Sequence, residues 1–497
     1  MSWWAPWAVA VRELARSRIA RNWSSLVASN LAVQLLAMLA TIRIARELAP
    51  YGYGEFNLVQ AVAMLGMLLA GLGIRQVVIR ACAQDPSRTR HLLLAGALLR
   101  ACACLVVGAA ILIYSVTGQQ GLTVSFGATA VAAMVGLLAW DLLESVAFGH
   151  QHMGFSSALG MVGAVAWVLW AWLVPADWLT PLGVCTAFAA LHTARVVLYF
   201  GLLKRAGYLR RGAAHAEPGD WRAKLLEPSV PFYWLAILGA AVHQVPILFL
   251  AEGAGQAEVG YFNAGFRLIA PLQMMLVSGF TALYPKLAQA AIVAPPRFER
   301  MVRGALVGTV ALGTAGAILV SAVRQEVVLQ LFGSAYAPAA DIVVAQCWYS
   351  VLLAITTLMG TVLAARERQR QLAILSTAYA VCATPLLWFA AQLGAHGLAL
   401  GMTLTTALGL SYHWFALQRC LPRRLPSSLG LGLALVVVLG MVFTWGVPQA
   451  WAWPLRLLAG ACVVLAALGV AALGSAGRWP VPVRVGSTLR IARPIIR

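Results

Sequence analysis

The sequence predicts an all-α integral membrane protein of about fourteen transmembrane helices. Three observations support this class. The 497-residue chain is 61% hydrophobic, with a mean hydropathy of +0.82. Only 10% of its residues are charged, whereas soluble domains contain about 25%. Its apolar residues also form runs of about twenty, which is the length that an α-helix needs to cross a bilayer.

The predicted helices form two lobes of six, followed by a final pair. The predicted segments are 24–46, 55–80, 91–115, 122–148, 156–174, 180–203, 229–250, 257–284, 303–323, 339–364, 371–392, 396–418, 428–447 and 453–474. The longest hydrophilic stretch follows the sixth segment. We therefore predict an amphipathic cytoplasmic segment (1–23), an N-terminal lobe (24–203), a cytoplasmic linker (204–228), a C-terminal lobe (229–418), a helix pair (419–474) and a basic cytoplasmic tail (475–497). Two equal halves are typical of transporters with a substrate path, here a V-shaped central cavity, between the lobes.

The basic residues predict the orientation of the helices. With the N-terminus in the cytoplasm, 27 of the 36 Lys and Arg residues lie in cytoplasmic segments, and both termini are cytoplasmic. The net charge of +20 therefore reflects topology, and no nucleic-acid partner is expected. The Trp- and Arg-rich segment 1–23 suits a surface of anionic lipids. The alternative interpretation is a basic tail that obeys the positive-inside rule.

Motifs for catalysis and metal binding are missing from the sequence. It contains no GxxxxGK[ST], HExxH or GxSxG pattern, so we expect no catalytic residue and no enzyme. None of the eight cysteines forms a CxxC pair, so neither a metal site nor a disulfide framework is indicated. No cofactor is expected, apart from a proton or sodium gradient that drives transport.

Seven arginines lie in or at the rim of the predicted helices. They are Arg43, Arg46, Arg75, Arg80, Arg100, Arg195 and Arg267. Each costs about 2.5–3.5 kcal/mol near the centre of a bilayer, so a chain that keeps several is expected to use them. Only four acids have comparable positions, namely Glu47, Glu55, Asp141 and Glu144. The positive surplus indicates an anionic cargo. Arg267 has no acid nearby in the sequence and is the first candidate for binding it, followed by Arg75, Arg46 and Arg43.

Polar side chains recur at helical spacing on three predicted helices, and these are further candidates for the substrate site. They are Asn30 and Gln34 on the first helix, Asn57 and Gln60 on the second, and Asn263 on the eighth. If the first, second, seventh and eighth helices face one another, these side chains line a polar cavity. The alternative is that each makes a hydrogen bond between helices.

A second group of residues has two interpretations, ion coupling or structural pairing. Asp141 and Glu144 lie one turn apart and form either a cation or proton site or a pair that neutralises Arg100 or Arg195. His243 either titrates near neutral pH or is a hydrogen-bonded buried side chain.

Three stretches of the sequence resemble bacterial polysaccharide flippases. NLAVQLLAMLATIRIARELAPYGYGEFNLVQAVAMLGMLLAGLGIRQVVIR (30–80) resembles their first two helices, which carry an "aR.LgP..yG.f" turn and a "lGl" segment. EVGYFNAGFRLIAPLQMMLVSGFTALYPKLA (258–288) resembles their eighth helix, and LQLFGSAYAPAADIV (329–343) the entry to their tenth. Many members have an acid near the middle of the seventh helix, where this chain has His243-Gln244-Val245-Pro246. The resemblance therefore implies no ion-coupling carboxylate at that position.

The resemblance implies a flippase of the multidrug/oligosaccharidyl-lipid/polysaccharide exporter superfamily in the bacterial inner membrane. Such proteins move undecaprenyl-diphosphate-linked sugar repeats by alternating access through a cationic lumen. This role carries over most directly to Arg75 and Arg267, and less directly to Arg46. The expected pathway is O-antigen or exopolysaccharide synthesis, with a polymerase and a chain-length regulator as partners. The alternatives are a lipid II flippase, a multidrug exporter, and, from another class, a membrane polysaccharide polymerase or transferase.

Overall fold

The computed structural model describes residues 18–117, 122–208, 221–421, 424–446 and 451–476. Much of three predicted regions lies outside them: residues 1–17 of the amphipathic segment, 209–220 of the linker and 477–497 of the tail. The described residues form sixteen α-helices and no strand. The fold is therefore all-α, as the sequence predicts.

The helices are numbered here in chain order. They are α1 (Arg18–Ala70), α2 (Ile74–Gln84), α3 (Thr89–Val116), α4 (Val124–Gly149), α5 (Met153–Leu173), α6 (Pro181–Arg205), α7 (Trp221–His243), α8 (Val245–Ala254), α9 (Gln256–Val293), α10 (Pro295–Ala322), α11 (Arg324–Phe332), α12 (Ala339–Ala365), α13 (Gln369–Ala391), α14 (Gly394–Cys420), α15 (Ser427–Gly446) and α16 (Trp453–Ala476).

Proline and glycine change the predicted helix boundaries. The first two predicted helices are continuous in α1 across a kink at Ala49, which has φ 53° and precedes Pro50. The residue before a proline is kept out of the helical region by the proline ring. The second predicted helix then bends by 54° between α1 and α2, where Gly73 has φ 66°. The seventh is divided at Gln244, and the loop predicted at 324–338 begins with α11.

Each of the fourteen predicted segments is mostly helical in its described residues, but the count of fourteen spans is not confirmed. In the part of the chain that the structure describes, nine helices are long and apolar enough to cross a membrane. The number is ten if the bent pair Leu31–Ala70 and Ile74–Gln84 forms one span. Several predicted spans are thus present as helices without meeting the length and hydropathy expected of an independent span.

The two lobes pack around different central helices and meet mainly along one pair. In the N-terminal lobe, α4 packs against α6, α3 and α1. In the C-terminal lobe, α12 is buried along most of its length and packs against α14, α9 and α10. The final pair, α15 and α16, packs on α10 of the same lobe. The most extensive contact in the described part of the chain joins α1 to α9, so these two helices form the main part of the interface between the lobes.

Candidate functional site

At the predicted extracytoplasmic side, here called the outer side, the backbones of α1 and α9 touch. A Cβ atom added to Gly54 would lie 1.7 Å from the carbonyl oxygen of Gln256. One added to Gly260 would lie 2.0 Å from the carbonyl oxygen of Pro50. Both distances are far below van der Waals contact, so only glycine permits this approach. The outer contact between the lobes therefore depends on two glycines.

Arg46 also joins the lobes on the outer side. Its Nε donates to the carbonyl oxygen of Leu331 at 2.8 Å, and its Nη2 donates to that of Gln330. These carbonyls end α11, where the helix dipole favours a positive charge. Tyr336 adds a hydrogen bond from its hydroxyl to the carbonyl oxygen of Ala45, at 2.9 Å. No sequence pattern indicated this partner, because Arg46 binds backbone atoms of a segment predicted as a loop.

The outer arginine one turn earlier stays in its own lobe. Arg43 forms an ion pair with Glu47 at 3.3 Å, and its guanidinium lies 5.9 Å from the ring centroid of Trp172. Arg43 and Arg46 therefore differ in their contacts, although both were candidates for the substrate site.

Near the middle of the interface, Arg267 of α9 donates from Nη2 to Oε1 of Gln60 in α1, at 3.2 Å. In the described part of the chain, no carboxylate lies within ion-pair distance of Arg267. Gln34 lies 4.0 Å from the sulfur of Met274 across the same interface. The polar faces predicted on these helices thus meet each other, and Arg267 is half-buried between them.

The other polar candidates on these faces bind their own helices. Asn57 is buried and donates to the carbonyl oxygen of Tyr53 at 2.7 Å. Asn263 donates to that of Val259 at 3.0 Å. The side chain of Asn30 lies outside the described residues.

Arg75 belongs to an ion cluster inside the N-terminal lobe. Its Nη1 lies 2.6 Å from Oδ1 of Asp141, and its Nη2 lies 2.7 Å from Oε2 of Glu144. Arg100, which is 3% exposed, binds the second oxygen of Asp141 at 2.8 Å. Arg195 lies over the ring of Trp140, with 4.0 Å to its centroid. Both carboxylates are therefore engaged by Arg75, a pairing that the sequence did not suggest.

The bend between α1 and α2 brings the lobes together again on the predicted cytoplasmic side. A Cβ atom added to Gly73 would lie 2.6 Å from the carbonyl oxygen of Ser229 and from the amide nitrogen of Tyr233, both in α7. The hydroxyl of Tyr233 donates to the carbonyl oxygen of Leu69 at 3.0 Å. The lobes consequently touch at outer, middle and inner levels.

His243 lies away from this interface, at a chamber of about 610 Å³ inside the C-terminal lobe. Its Nδ1 is 3.2 Å from the hydroxyl of Tyr349. None of the arginine or amide candidates lines the chamber. The described residues bring together no group of three His, Cys, Asp or Glu side chains suited to a metal ion.

The sequence matches a family of known proteins over residues 19–291, which is more than half of the chain. The chain belongs to the polysaccharide biosynthesis protein family. This family is a flippase branch of the multidrug/oligosaccharidyl-lipid/polysaccharide exporter superfamily, which confirms the resemblance seen in the sequence. No curated protein matches the chain.

Solved structures of transporters share the fold. The lipid II flippase MurJ in an inward closed conformation superposes with a TM-score of 0.65 at 11% identity, covering 90% of this chain and 98% of MurJ. A multidrug resistance MATE transporter in an inward-facing conformation gives a TM-score of 0.57 at 14% identity, covering 78% and 95%. The Vibrio cholerae MATE transporter VcmN gives 0.51 at 15% identity, covering 80% and 97%. Membership of this family identifies the chain as a transporter and not an enzyme, and the solved transporter structures share its fold.

Proposed function

We propose that this protein moves undecaprenyl-diphosphate-linked oligosaccharide repeats from the cytoplasmic to the periplasmic leaflet of the bacterial inner membrane. The pathway that we propose is O-antigen or exopolysaccharide synthesis, with a polymerase and a chain-length regulator as partners. The observation that carries the proposal is the position of Arg267. It lies at the lobe interface of a flippase-family protein, without a carboxylate partner in the described residues.

The chemistry of Arg267 suits a diphosphate. A guanidinium has five N–H donors, and Gln60 takes one of them. Phosphate oxygens accept two parallel hydrogen bonds from such a group, and the contact is strengthened by charge. Binding then exchanges a neutral acceptor, Gln60, for a charged one and loosens the bond between the lobes. The attraction stays moderate because Gln60 competes for the same guanidinium, so the cargo is also able to leave.

Alternating access requires the three levels of lobe contact to open in turn. The outer level depends on Gly54, Gly260 and Arg46, and the inner level on Gly73 and Tyr233. We propose that the cargo enters when the inner level opens and leaves when the outer level opens. Both termini are cytoplasmic in this proposal, as the distribution of basic residues predicts.

Lipid II is the second candidate cargo. The specific observation in its favour is the likeness to MurJ over 98% of the MurJ chain. Lipid II is also a polyprenyl-diphosphate-linked saccharide, so Arg267 has the same role in either case.

Reconstituted liposomes provide the test. A fluorescent undecaprenyl-diphosphate-linked oligosaccharide is placed in both leaflets. Transport is measured as the decrease in the fraction of this probe that is accessible from one side of the membrane, for wild type, Arg267→Ala and Arg267→Lys. We expect wild type to transport, Arg267→Ala to abolish transport and Arg267→Lys to restore part of it.

Arg80→Ala is the matched control, because Arg80 is exposed at the end of α2 and is expected to reach water. Transport by Arg267→Ala at the wild-type rate would refute the role of this arginine. Parallel assays with lipid II decide between the two cargoes.

A further inference from the structure

The chamber in the C-terminal lobe is lined by residues of α7, α9, α12, α13 and α14 and measures about 610 Å³. This volume lies within the range of about 300–1,000 Å³ that is usual for small-molecule sites. No Asp, Glu, Lys or Arg side chain lines it. An uncharged lining in a membrane protein is unsuited to a diphosphate or to a metal cation, so a ligand of this chamber would differ from the anion proposed at Arg267.

Several polar groups face the chamber with unused hydrogen-bonding capacity. Nδ1 of His413 lies 2.9 Å from the carbonyl oxygen of Gly409, which only accepts, so this nitrogen carries the proton and Nε2 is left as an acceptor. His243 is engaged through Nδ1 by Tyr349, which again leaves Nε2, and His243 is exposed where it lines the chamber. Tyr284 also lines the chamber, carries a hydroxyl and is 39% exposed.

The remaining walls are aromatic and aliphatic. Phe280, Tyr284 and Tyr379 supply rings, and Tyr379 pairs with Thr406 at 3.1 Å between their hydroxyls. Aromatic faces beside a few convergent polar groups suit a ligand that has both apolar C–H faces and hydroxyls. The ring of a neutral hexose has this character.

We propose that the chamber binds an uncharged sugar of the lipid-linked oligosaccharide during transport. This inference rests on the proposed function and adds a subsite to it. Sugar hydroxyls in hydrocarbon have no hydrogen-bond partners, which is energetically unfavourable, so they gain by entering a chamber with acceptors. A polyprenyl chain gains little, because the lipid tails outside are as apolar as the chamber walls.

The spacing along α9 agrees with a cargo that spans both sites. Val277 and Tyr284 of the chamber follow Arg267 by ten and seventeen residues. At a rise of 1.5 Å per residue, they lie about 15 and about 25 Å further along the helix. A diphosphate at Arg267 and a sugar in the chamber would thus be separated by the length of a short oligosaccharide.

Gly239 offers a way to fill the chamber. It lines the chamber, and a Cβ atom added to it would meet no atom within 4 Å. Gly239→Leu therefore places a side chain in the empty volume without a backbone clash. Gly201→Leu is the matched control, since Gly201 in α6 of the N-terminal lobe has equally open surroundings. Ser376→Ala, which removes a hydroxyl at the wall, is the second variant in case Gly239→Leu does not fold.

The experiment measures the affinity of the full chain in nanodiscs for two probes. One is sugar-free undecaprenyl diphosphate, and the other carries a trisaccharide of neutral hexoses. We expect Gly239→Leu to weaken binding of the sugar-bearing probe about tenfold, and Ser376→Ala to weaken it about threefold. Binding of the sugar-free probe should be unchanged in both variants. Gly201→Leu should bind both probes like wild type.

Two results would overturn the inference. Equal weakening of both probes by Gly239→Leu would show that the chamber holds the polyprenyl chain, and unchanged binding of both would show that it holds no part of the cargo. The proposed function is tested separately by Arg267→Ala, which is expected to weaken both probes. If that variant binds both like wild type, the diphosphate role of Arg267 fails, whatever Gly239→Leu does.

Discussion

Arg46 donates a hydrogen bond from Nε to the carbonyl oxygen of Leu331, a residue 285 positions further along the chain. The bond joins α1 of one lobe to the end of α11 in the other. On its other side, α11 is held by the final helix pair, because Arg456 of α16 pairs with Glu326. A short outer helix thus connects the last two helices to the lobe interface.

Replacing Arg46 is expected to loosen the outer contact. Arg46→Ala removes two hydrogen bonds to the end of α11, so the outer ends of the lobes should separate more often. Spin labels at Tyr51 and Leu393, both exposed, report this separation as a longer and broader distance distribution. Arg43→Ala is the control, because Arg43 pairs within α1, and it should leave the distribution unchanged. An unchanged distribution in Arg46→Ala would remove this bond from the outer contact.

A methyl group at Gly260 is expected to block the close approach of α1 and α9. In Gly260→Ala the new Cβ would lie 2.0 Å from the carbonyl oxygen of Pro50, so the helices must move apart. We expect the transport rate in liposomes to fall about tenfold or more, which corresponds to about 1.4 kcal/mol. In Gly279→Ala, on the same helix, the new Cβ would meet no atom within 4 Å, so this variant should transport at the wild-type rate. Equal rates for the two variants would contradict the prediction.

Loss of Asp141 is expected to destabilise the N-terminal lobe. Asp141→Ala leaves Arg100, 3% exposed, without its carboxylate. Breaking a buried pair in this way typically costs about 3–5 kcal/mol. Thermal unfolding in detergent should show a lower Tm than for Asp177→Ala, whose carboxylate is exposed. A Tm equal to that of the control would mean that the ion cluster contributes nothing to stability.

A buried hydrogen bond anchors α15 to the C-terminal lobe. Nε1 of Trp348 donates to the hydroxyl of Thr444 at 2.8 Å, and both residues are buried. Thr444→Val leaves this donor without a partner, which is expected to cost about 1–3 kcal/mol in the free energy of unfolding. Thr405→Val is the control, since the hydroxyl of Thr405 donates to carbonyls of its own helix. The prediction fails if both variants unfold at the same denaturant concentration.

His150 is expected to make the turn after α4 sensitive to acid. Its Nε2 lies 2.9 Å from the hydroxyl of Thr89, and its ring stacks on Tyr208 at 4.1 Å. Burial, and then the neighbouring His152, lower the pKa of His150 below its usual value of 6.5. The unfolded turn therefore binds more protons than the folded turn below about pH 6.5, and its stability falls as the pH decreases through that range.

Hydrogen exchange measures this effect. Amides around His150 and Tyr208 should exchange faster at about pH 5.5 than at about pH 7.5, after correction for the intrinsic rates. His150→Gln should lose this dependence, because glutamine does not titrate. An equal dependence in the variant would assign the effect to another group.

The sequence by itself determined the all-α membrane class, because apolar runs of about twenty residues between basic turns have the length of transmembrane helices, which satisfy their backbone hydrogen bonds internally. It also indicated which faces of α1 and α9 are polar, because helical spacing places Asn57 with Gln60 and Asn263 with Arg267. On those faces Gln60 and Arg267 do meet. Local periodicity is enough for such predictions, since each uses only residues within a few turns.

Only the tertiary structure decided which charges have partners. Arg75 meets Asp141 and Glu144, 66 and 69 residues away, because the bend at Gly73 turns α2 toward α4. Arg46 meets backbone carbonyls, which every residue has and no sequence pattern marks. The chamber likewise arises from five helices, whose lining residues are spread from Leu235 to His413. Such contacts depend on how helices pack, and packing is set by side chains that are far apart in the sequence.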